Sequence, residues 1–433
     1  MRLISLLSLD IAQLPYGRGQ YQEIAIAGEN YLGTLEHHEV SLKPGQNDLV
    51  AALARPVASP PLREIVKPGE RVAVVTSDIT RPCPSHQILP PILKELELAG
   101  VKDRDITIIL ATGNHRRHTE AEKQSLVGEE IYVRYLCHDA DAKDAVYLGE
   151  TRRGTPVEVF RTVVEADRRI LVGNVEYHYF AGYSGGVKAI MPGCSTPRAI
   201  QADHRLMVEP GAQAGEIENN PVRQDLEEVL NFLAVDFIVN VVLDEHKNVL
   251  AAFAGHPIAA HRQAARYLDG LYKVNIAEPA DIVIASAGGF PKDINLYQAQ
   301  KAIDNARRAV RPGGILILVA ACPEGLGDDT FAAWIAAAQT PGDLIRRVHT
   351  NFELGGHKAA AIAMVLQDIR IYLVSSLPVQ VARQIFLEPF SNLTEAYQAA
   401  LRELGSEAKV LLIPQAGAVL PCLERKWFKN RSH

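Results

Sequence analysis

The sequence predicts an α/β protein made of two α/β domains with mostly parallel sheets and the active site in the cleft between them. Short, continuous apolar runs alternate with stretches of helical periodicity along the 433-residue chain. This alternation is typical of parallel strands that are covered on both faces by helices. Apolar residues make up 47% and charged residues 22% of the chain, which is the balance of an ordinary globular protein.

The individual elements follow from the same pattern. Runs of branched apolar residues predict strands at 1–7, 71–76, 105–111, 169–175, 281–286, 314–320 and 409–414. Apolar residues at helical spacing predict helices over 88–99, 120–126 and 295–308. Thr119 and Glu122 have the spacing of a capping box at the start of the second helix.

The predicted elements suggest where the domains divide. A helix ends before 275–280 and a new strand follows it, so we expect an N-terminal domain over 1–274 and a C-terminal domain over 278–407. We expect the last residues, from about 408–433, to return to the N-terminal domain.

Composition excludes several classes of protein. With 45 basic and 51 acidic residues the net charge is −6, which argues against a nucleic-acid partner. No apolar run is long enough to span a bilayer, so no membrane is expected. The five cysteines are scattered without a CxxC pair, which indicates neither a disulfide framework nor a structural zinc site. These features favour a reducing, cytoplasmic location.

Polar clusters directly after predicted strands are the candidate functional loops, because ligands of parallel sheets bind at the carboxyl ends of the strands. The first cluster contains Asp78 and Arg81, and Arg81 is followed by a proline, which suits a preset contact with a carboxylate. The second contains His115 and His118, where a histidine at a strand end suits acid/base chemistry. A solvated arginine in a turn and two structural histidines are the corresponding alternatives.

The third cluster, from Asn174 to Gly193, is the strongest signal. Gly182, Gly185 and Gly186 lie within five residues, and with Ser184 they suit a concave anion site built from backbone N–H groups. Lys188 follows closely, but the spacing fits neither a P-loop nor a dinucleotide fingerprint. The fourth cluster opens a helix with Tyr297, Gln298 and Lys301, which share or adjoin one helical face and suit a carboxylate ligand. An ordinary amphipathic turn is the alternative for this last cluster.

Taken together, these motifs resemble those of the nickel-pincer-dependent lactate racemase family. The resemblance rests on DxTRPxP, GxHRxxT, EYHYFAGYSGGxKxxxPG, a histidine sixteen residues after that lysine, and YQAxK. The motifs occur in the family's order and cover roughly residues 10–420. The long third motif is the specific one, whereas the others are individually weak.

The resemblance implies a cofactor, bound by the N-terminal domain over 1–274, and roles for the motif residues. The cofactor would be the nickel-pincer nucleotide, a pyridinium-3,5-bisthiocarboxylic acid mononucleotide that holds one nickel and is covalently bound at Lys188. His204 would be the protein's nickel ligand, and His115 and His178 the acid/base pair. Arg81, Gln298 and Lys301 would bind the substrate with Tyr297 beside them, and Asp78 would support the site.

The implied reaction is racemisation or C2-epimerisation of a small-molecule 2-hydroxy acid, lactate-like or larger, by reversible hydride transfer through a 2-oxo acid. Inversion needs a base on each side of the substrate, which explains two histidines on different loops. Cofactor-biosynthesis proteins would be partners for loading. Arg117 and His118 depart from the family pattern, and their added positive charge suits a substrate with a second carboxylate.

Three other functions compete with this hypothesis. A zinc-dependent hydrolase would use a cluster of His115, His118 and His178. A NAD-linked hydroxy-acid dehydrogenase would need the glycine fingerprint that the sequence lacks. A non-catalytic protein that only binds the cofactor would not need the acid/base residues that are present.

Overall fold

The structure is a computed structural model that describes residues 9–36, 47–244 and 246–423. The strand predicted at 1–7 lies outside the described residues. The chain divides into two compact units. We call Val40–Gly270 the central unit, and Met1–Glu39 with Leu271–His433 the composite unit, because it joins both ends of the chain.

The described residues form short strands and helices in alternation. The strands are β1 (Leu9–Tyr16), β2 (Gln20–Ala27), β3 (Tyr31–Thr34), β4 (Val72–Ser77), β5 (Ile106–Ala111), β6 (Leu136–Asp139), β7 (Ala145–Glu150), β8 (Pro156–Phe160), β9 (Arg168–Asn174), β10 (Tyr177–His178), β11 (Gly182–Tyr183), β12 (Phe237–Leu243), β13 (Val249–Gly255), β14 (Lys273–Ile276), β15 (Ala280–Ser286), β16 (Val310–Val319), β17 (Arg370–Val374), β18 (Glu388–Phe390), β19 (Val410–Ile413) and β20 (Leu420–Leu423). The helices are α1 (Asn47–Ala54), α2 (Leu62–Ile65), α3 (Ser85–Leu98), α4 (Glu120–Val127), α5 (Glu129–Arg134), α6 (Arg161–Glu165), α7 (Pro197–His204), α8 (Pro221–Glu227), α9 (Pro257–Tyr272), α10 (Leu296–Ala306), α11 (Asp329–Ala337), α12 (Pro341–Thr350), α13 (Gly356–Val365), α14 (Val379–Gln384) and α15 (Leu393–Leu404).

The central unit is built on a sheet with the strand order β13-β12-β9-β4-β5-β6. All neighbouring pairs are parallel except β12 and β13. Its core packs alternate side chains of β4, β5 and β9 against α3, including Val72, Val74, Ile88 and Ile92. Because β9, β4 and β5 are parallel neighbours, the loops that follow them meet at one edge of this sheet.

The composite unit has a second sheet with the order β18-β17-β16-β15-β19-β3, in which every neighbouring pair is parallel. Residues from both ends of the chain share its core. Leu14 and Ile24 of the β1–β2 hairpin pack with Ile282, Ile317 and Leu412 of the sheet.

The predicted α/β class is confirmed, and the strands that were expected from residue 71 onward are all present within one to four residues of their predicted limits. The three predicted helices correspond to α3, α4 and α10. The capping box is also confirmed, because the Thr119 side chain accepts from the Glu122 N–H while the Glu122 carboxylate accepts from the Thr119 N–H.

The observed units differ from the expected division at 1–274, 278–407 and 408–433. Strand β3 pairs with β19, so residues 9–34 belong with the C-terminal sheet and not with the central one. Strand β19 itself pairs with β15, so residues 408–423 complete the composite unit instead of returning to the first domain. Local sequence patterns do not specify which strands pair across such distances. The predicted cleft between domains stays a prediction.

Candidate active site

The loops after β4 and β5 bring an aspartate and a histidine together. His115 Nδ1 lies 2.9 Å from Asp78 Oδ2, and Asp78 Oδ1 accepts the Thr80 N–H at 2.6 Å. Burial works to raise the pKa of Asp78, but the hydrogen bonds from His115 and Thr80 outweigh it and hold this pKa below its ordinary value. With Nδ1–H donating to Asp78, the lone pair of neutral His115 is on Nε2, which makes this nitrogen the proton acceptor.

His118 supports the loop that carries Asp78 and does not act as a ligand. Its Nδ1 contacts Asp139 Oδ1 at 2.5 Å, and its Nε2 accepts the Ile79 N–H at 3.0 Å. The side chain is 1% exposed. Both ring nitrogens of His118 are therefore used, which argues against the alternative zinc site on His115, His118 and His178. No cluster of three or more metal-ligating side chains occurs among residues 9–36, 47–244 and 246–423.

The extra positive charge expected beside this loop is neutralised within the protein. Arg116 binds Glu122 through two hydrogen bonds, and Arg117 pairs with Asp141. In contrast, the exposed Arg81 guanidinium makes no ion pair or hydrogen bond with any described residue. Arg81 is the arginine in these two loops that is available for a ligand.

The glycine-rich segment after β9 folds into a small hairpin, β10–β11, and then a single 3₁₀ turn over Gly186–Ala189. Its glycines permit close packing. A Cβ at Gly182 would lie 1.9 Å from the carbonyl oxygen of Glu216, and a Cβ at Gly186 would lie 2.9 Å from the His261 ring. Both residues also have φ values of +77° and +62°, in the left-handed region that favours glycine.

Two of the backbone N–H groups in the predicted anion site donate to acceptors within the protein. The Ser184 N–H donates to the Glu176 carbonyl, and the Gly186 N–H donates to Asn240 Oδ1. The Ser184 hydroxyl donates to the Asn174 carbonyl. These donors shape the loop, and the binding of the cofactor by Gly182, Ser184, Gly185 and Gly186 stays a prediction.

Several residues that the sequence analysis did not identify form hydrogen bonds with backbone carbonyls of this loop. Asn220 Nδ2 donates to the Phe180 carbonyl at 2.8 Å, and the fully buried Arg223 donates to the carbonyls of Ala181 and Tyr183. His261 Nε2 lies 2.8 Å from the Ser184 carbonyl. Both Asn220 and Arg223 belong to the start of α8, where an Asn-Pro pair marks a helix N-terminus but gives no sign of what it binds.

We expect Arg223→Met to destabilise the central unit by about 3–5 kcal/mol, since it removes a buried, hydrogen-bonded charge and leaves two buried carbonyls without their donor. The measurement is the free energy of unfolding in urea. Arg198→Met is the matched control, because Arg198 forms an exposed pair with Glu158 and such pairs contribute at most about 1 kcal/mol. Equal effects of the two substitutions would contradict this role for Arg223.

His178 is enclosed by aromatic rings and positive charges. Its ring centroid lies 4.5 Å from that of Phe180, and Nδ1 accepts the Ala181 N–H at 3.2 Å. Burial first, and then the charges of Lys188 and Arg81, hold the pKa of His178 well below its ordinary value. The neutral ring therefore carries its proton on Nε2, where it is a hydrogen-bond donor.

Lys188 is a buried amine without a partner. Among the described residues, no carboxylate or other acceptor hydrogen-bonds to its Nζ, which lies 5.7 Å from the centroid of the Phe180 ring. Burial, followed by the charges of Arg223 and Arg81 and opposed by Asp203, lowers the pKa of Lys188 to about 7. A large part of the amine is therefore neutral and nucleophilic near pH 7.

His204, the last residue of α7, is oriented by the residue before it. Its Nδ1 lies 2.8 Å from Asp203 Oδ2, and Asp203 is fully buried. The Phe180 ring contacts the His204 ring at a centroid distance of 4.9 Å. Donation from Nδ1 to a carboxylate leaves the lone pair on Nε2, which is the usual arrangement for a histidine that ligates a metal.

The central unit thus gathers most of the predicted site. Phe180 contacts His178, Lys188 and His204, and the charge of Arg81 acts on all three. His115 is joined to the same loop as Arg81 through Asp78. This set combines a lysine with a lowered pKa, a histidine whose Nδ1 is oriented by a carboxylate, two further histidines and one arginine without an ion pair among the described residues.

The composite unit carries the remaining predicted residues on α10. Asn295 caps this helix by accepting the Gln298 N–H at 3.0 Å, and the side chains of Gln298 and Lys301 are exposed. Tyr297 packs edge-on against Phe331. The structure therefore confirms that these residues open a helix.

The fold and the residues of the central unit define an α/β enzyme, and comparison with known proteins identifies its family. Residues 16–215 match the lactate racemase N-terminal domain and residues 275–420 match the lactate racemase C-terminal domain. The lactate racemase of Thermoanaerobacterium thermosaccharolyticum is 30% identical over 94% of this chain and 98% of its own. The lactate racemase of Lactiplantibacillus plantarum is 31% identical over 91% of this chain and 96% of its own. The chain belongs to the lactate racemase family and is an isomerase.

Solved structures agree with this assignment. The structure of the T. thermosaccharolyticum lactate racemase apoprotein matches 95% of this chain and 100% of its own, with a TM-score of 0.83 at 30% identity. A Thermotoga maritima protein matches 88% of this chain and 98% of its own, with a TM-score of 0.60 at 18% identity, which shows a shared fold alone.

Proposed function

We propose that this protein racemises or epimerises a 2-hydroxy acid, lactate or a larger relative, with a nickel-pincer nucleotide bound covalently at Lys188. The observation that carries the proposal is the unpaired, buried Lys188 amine, which shares the Phe180 ring with His178 and His204. The relatives named above are lactate racemases, which supports the reaction class. A hydrolase on His115, His118 and His178 is not favoured, because His118 has no free nitrogen.

The residues present fit the proposed cofactor. A buried amine with a pKa of about 7 is a suitable point for covalent attachment. His204 would hold the nickel through one imidazole nitrogen, which is a ligand type that suits nickel. When bound, the nickel-pincer nucleotide supplies a reversible hydride acceptor. Because the nucleotide provides the other donors, the protein does not need a cluster of metal ligands.

The protein's own residues position the substrate and move its proton. We propose that Arg81 binds the substrate carboxylate and that Gln298 and Lys301 contribute further contacts. For one enantiomer, His115 accepts the hydroxyl proton at Nε2 while Nδ1 stays on Asp78, which stabilises the resulting imidazolium. His178 donates a hydrogen bond from Nε2. For the other enantiomer the two histidines exchange roles, which requires His178 to release the Ala181 N–H.

The test is to produce the chain together with the cofactor-building proteins that we propose as its loading partners, and to follow each enantiomer of several 2-hydroxy acids. We expect interconversion of enantiomers, a mass increase on the peptide containing Lys188, and about one nickel per chain. Loaded protein that converts no 2-hydroxy acid, or full activity without nickel, would overturn the proposal.

We expect Asp203→Asn to weaken nickel binding by about 10–100-fold. An asparagine amide that donates to His204 Nδ1 would move the ring proton to Nε2 and remove the lone pair that binds the metal. The measurement is nickel retained after dialysis against a chelator, with the cofactor mass at Lys188 as a check that loading still occurs. Asp329→Asn, at an exposed position in α11, is the control. Equal nickel retention in both variants would contradict this role for Asp203.

The cellular location and the absence of a nucleic-acid partner are further proposals. No helix within the described ranges has both the length and the apolar character to cross a membrane. We propose a cytoplasmic location and no nucleic-acid partner.

A further inference from the structure

A second aspartate–histidine pair lies next to the pair formed by Asp78 and His115. Asp139, the last residue of β6, contacts His118 at two points. Its Oδ2 accepts the His118 N–H at 3.0 Å, and its Oδ1 lies 2.5 Å from the ring nitrogen Nδ1. The side chains of His118 and Asp139 are 1% and 6% exposed. The ring of His118 is therefore fixed in position, with its proton on Nδ1 and a lone pair on Nε2.

The lone pair of His118 contacts the loop after β4. Nε2 accepts the Ile79 N–H at 3.0 Å, so it holds the peptide group between Asp78 and Ile79. Two further bonds close the same turn, since the Thr80 N–H donates to Asp78 Oδ1 at 2.6 Å and the Arg81 N–H donates to the Asp78 carbonyl at 3.1 Å. The orientation of the Asp78 side chain therefore depends in part on His118.

Asp78 transmits this orientation to His115, because Asp78 Oδ2 lies 2.9 Å from His115 Nδ1. An aspartate has only two side-chain torsions, so its carboxylate follows its backbone closely. A displacement of about 1 Å at a reacting group can cost about 100-fold in rate. The position of His115 thus depends on two carboxylates in series, one in direct contact and one, Asp139, that acts through His118.

The local packing does not require a polar pair at this position. Helix α4 has its own cap, because Thr119 and Glu122 form a capping box. Burial of a carboxylate and an imidazole costs free energy, and apolar side chains of similar volume often stabilise a core at least as well. What His118 adds is a hydrogen bond of fixed direction to the loop after β4, and such contacts are typical of residues that orient a functional neighbour.

We propose that His118, oriented by Asp139, is a positioning residue for the reaction, and that it holds Asp78 where Asp78 keeps the lone pair of His115 on Nε2. This inference rests on the proposed function, in which His115 accepts the hydroxyl proton of one enantiomer. Because His178 serves the other enantiomer from a different loop, loss of the His118 contact should affect one enantiomer and spare the other.

The test uses two substitutions that differ in their reach. Asparagine in His118→Asn is too short to reach the Ile79 N–H, whereas His118→Gln places an amide oxygen close to the position of Nε2. With the loaded full-length enzyme at saturating substrate, we expect His118→Asn to slow 2-oxo acid formation about 10–100-fold for the enantiomer that His115→Asn does not oxidise, and less than about threefold for the other. His118→Gln should restore most of this rate. His256→Asn is the control, because exposed His256 also accepts a backbone N–H, from Ile258.

A second measurement needs no cofactor. Burial works to raise the pKa of Asp78, but the hydrogen bonds from His115 and Thr80 hold this pKa below its ordinary value. In the unloaded protein, NMR titration of the Asp78 carboxyl group should show that its pKa rises in His118→Asn and stays low in His118→Gln. The ring nitrogens of His118 in the unsubstituted protein should show a proton on Nδ1 and a lone pair on Nε2.

The outcomes separate this inference from the proposed function. Equal slowing of both enantiomers in His118→Asn, or an unchanged titration of Asp78, would overturn the positioning role and leave the racemase intact. If no 2-hydroxy acid is converted, the proposed function fails, and the Asp78 titration decides whether His118 orients Asp78. If His118→Asn does not fold, the ring nitrogens of the unsubstituted protein decide, because a proton on His118 Nε2 would contradict the contact with Ile79 and a lone pair there would support it.

Discussion

Replacing Lys188 by alanine is expected to abolish covalent loading of the cofactor and to reduce racemisation to background. The reason is the low pKa of this amine, about 7, which burial causes. About half of the Lys188 side chains are then neutral at pH 7, whereas an exposed lysine with its ordinary pKa is almost entirely protonated. The measurement is the intact mass of the protein after loading, together with the rate of enantiomer interconversion.

The same lysine gives a test that needs no cofactor. A small amine-reactive reagent should modify Lys188 faster as the pH rises through about 7, because deprotonation creates the nucleophile, while exposed lysines should respond only near pH 10. Lys188→Arg keeps the charge but not the nucleophilic amine and should also fail to load. Lys94→Ala is the control, since Lys94 pairs with Glu97 on an exposed face of α3. Loading of the Lys188→Ala protein would refute the attachment site.

The fold was predictable where the information is local. Strands β4, β5, β9, β15 and β16 are continuous apolar runs between helices, and this pattern survives in the structure because both faces of a parallel sheet are buried. The pairing of β3 with β19 was not predictable, since it joins segments almost four hundred residues apart. The β1–β2 hairpin likewise buries Leu14 and Ile24 in a core whose other members lie far along the chain.

The candidate site, like the fold, was predictable from the sequence only in part. His178, Lys188 and His204 were identified from one motif and its spacing, and the structure places them around Phe180. The residues that support them were not identified, because no sequence motif distinguishes Arg223 or His261 from any other arginine or histidine. Their roles come from burial and from bonds to backbone carbonyls, which only the folded chain defines. Spacing alone also suggested a phosphate site, although the backbone donors at Ser184 and Gly186 are used internally.

Replacing either proposed acid/base histidine by asparagine is expected to lower racemisation by about 10²–10⁴-fold, the usual cost of losing a positioned proton-transfer group. Because the two enantiomers have equal free energy, kcat/KM must fall equally in both directions whichever histidine is removed. The formation of the 2-oxo acid from a single enantiomer distinguishes the two. Each of the variants His115→Asn and His178→Asn should still form the 2-oxo acid from one enantiomer only. The enantiomer that His115→Asn oxidises should be the one that His178→Asn does not oxidise.

This asymmetry follows from the hydrogen bonds of the two rings. His115 presents a lone pair on Nε2 because Asp78 holds its Nδ1–H, whereas His178 presents an N–H on Nε2 because the Ala181 N–H occupies its Nδ1. The two neutral rings therefore carry their proton on opposite nitrogens, so that Nε2 is a proton acceptor in His115 and a hydrogen-bond donor in His178. Acid-quenched single turnovers with each pure enantiomer measure the effect, and His86→Asn, at an exposed position, is the control. If both variants still oxidise the same enantiomer, the two histidines do not serve opposite enantiomers.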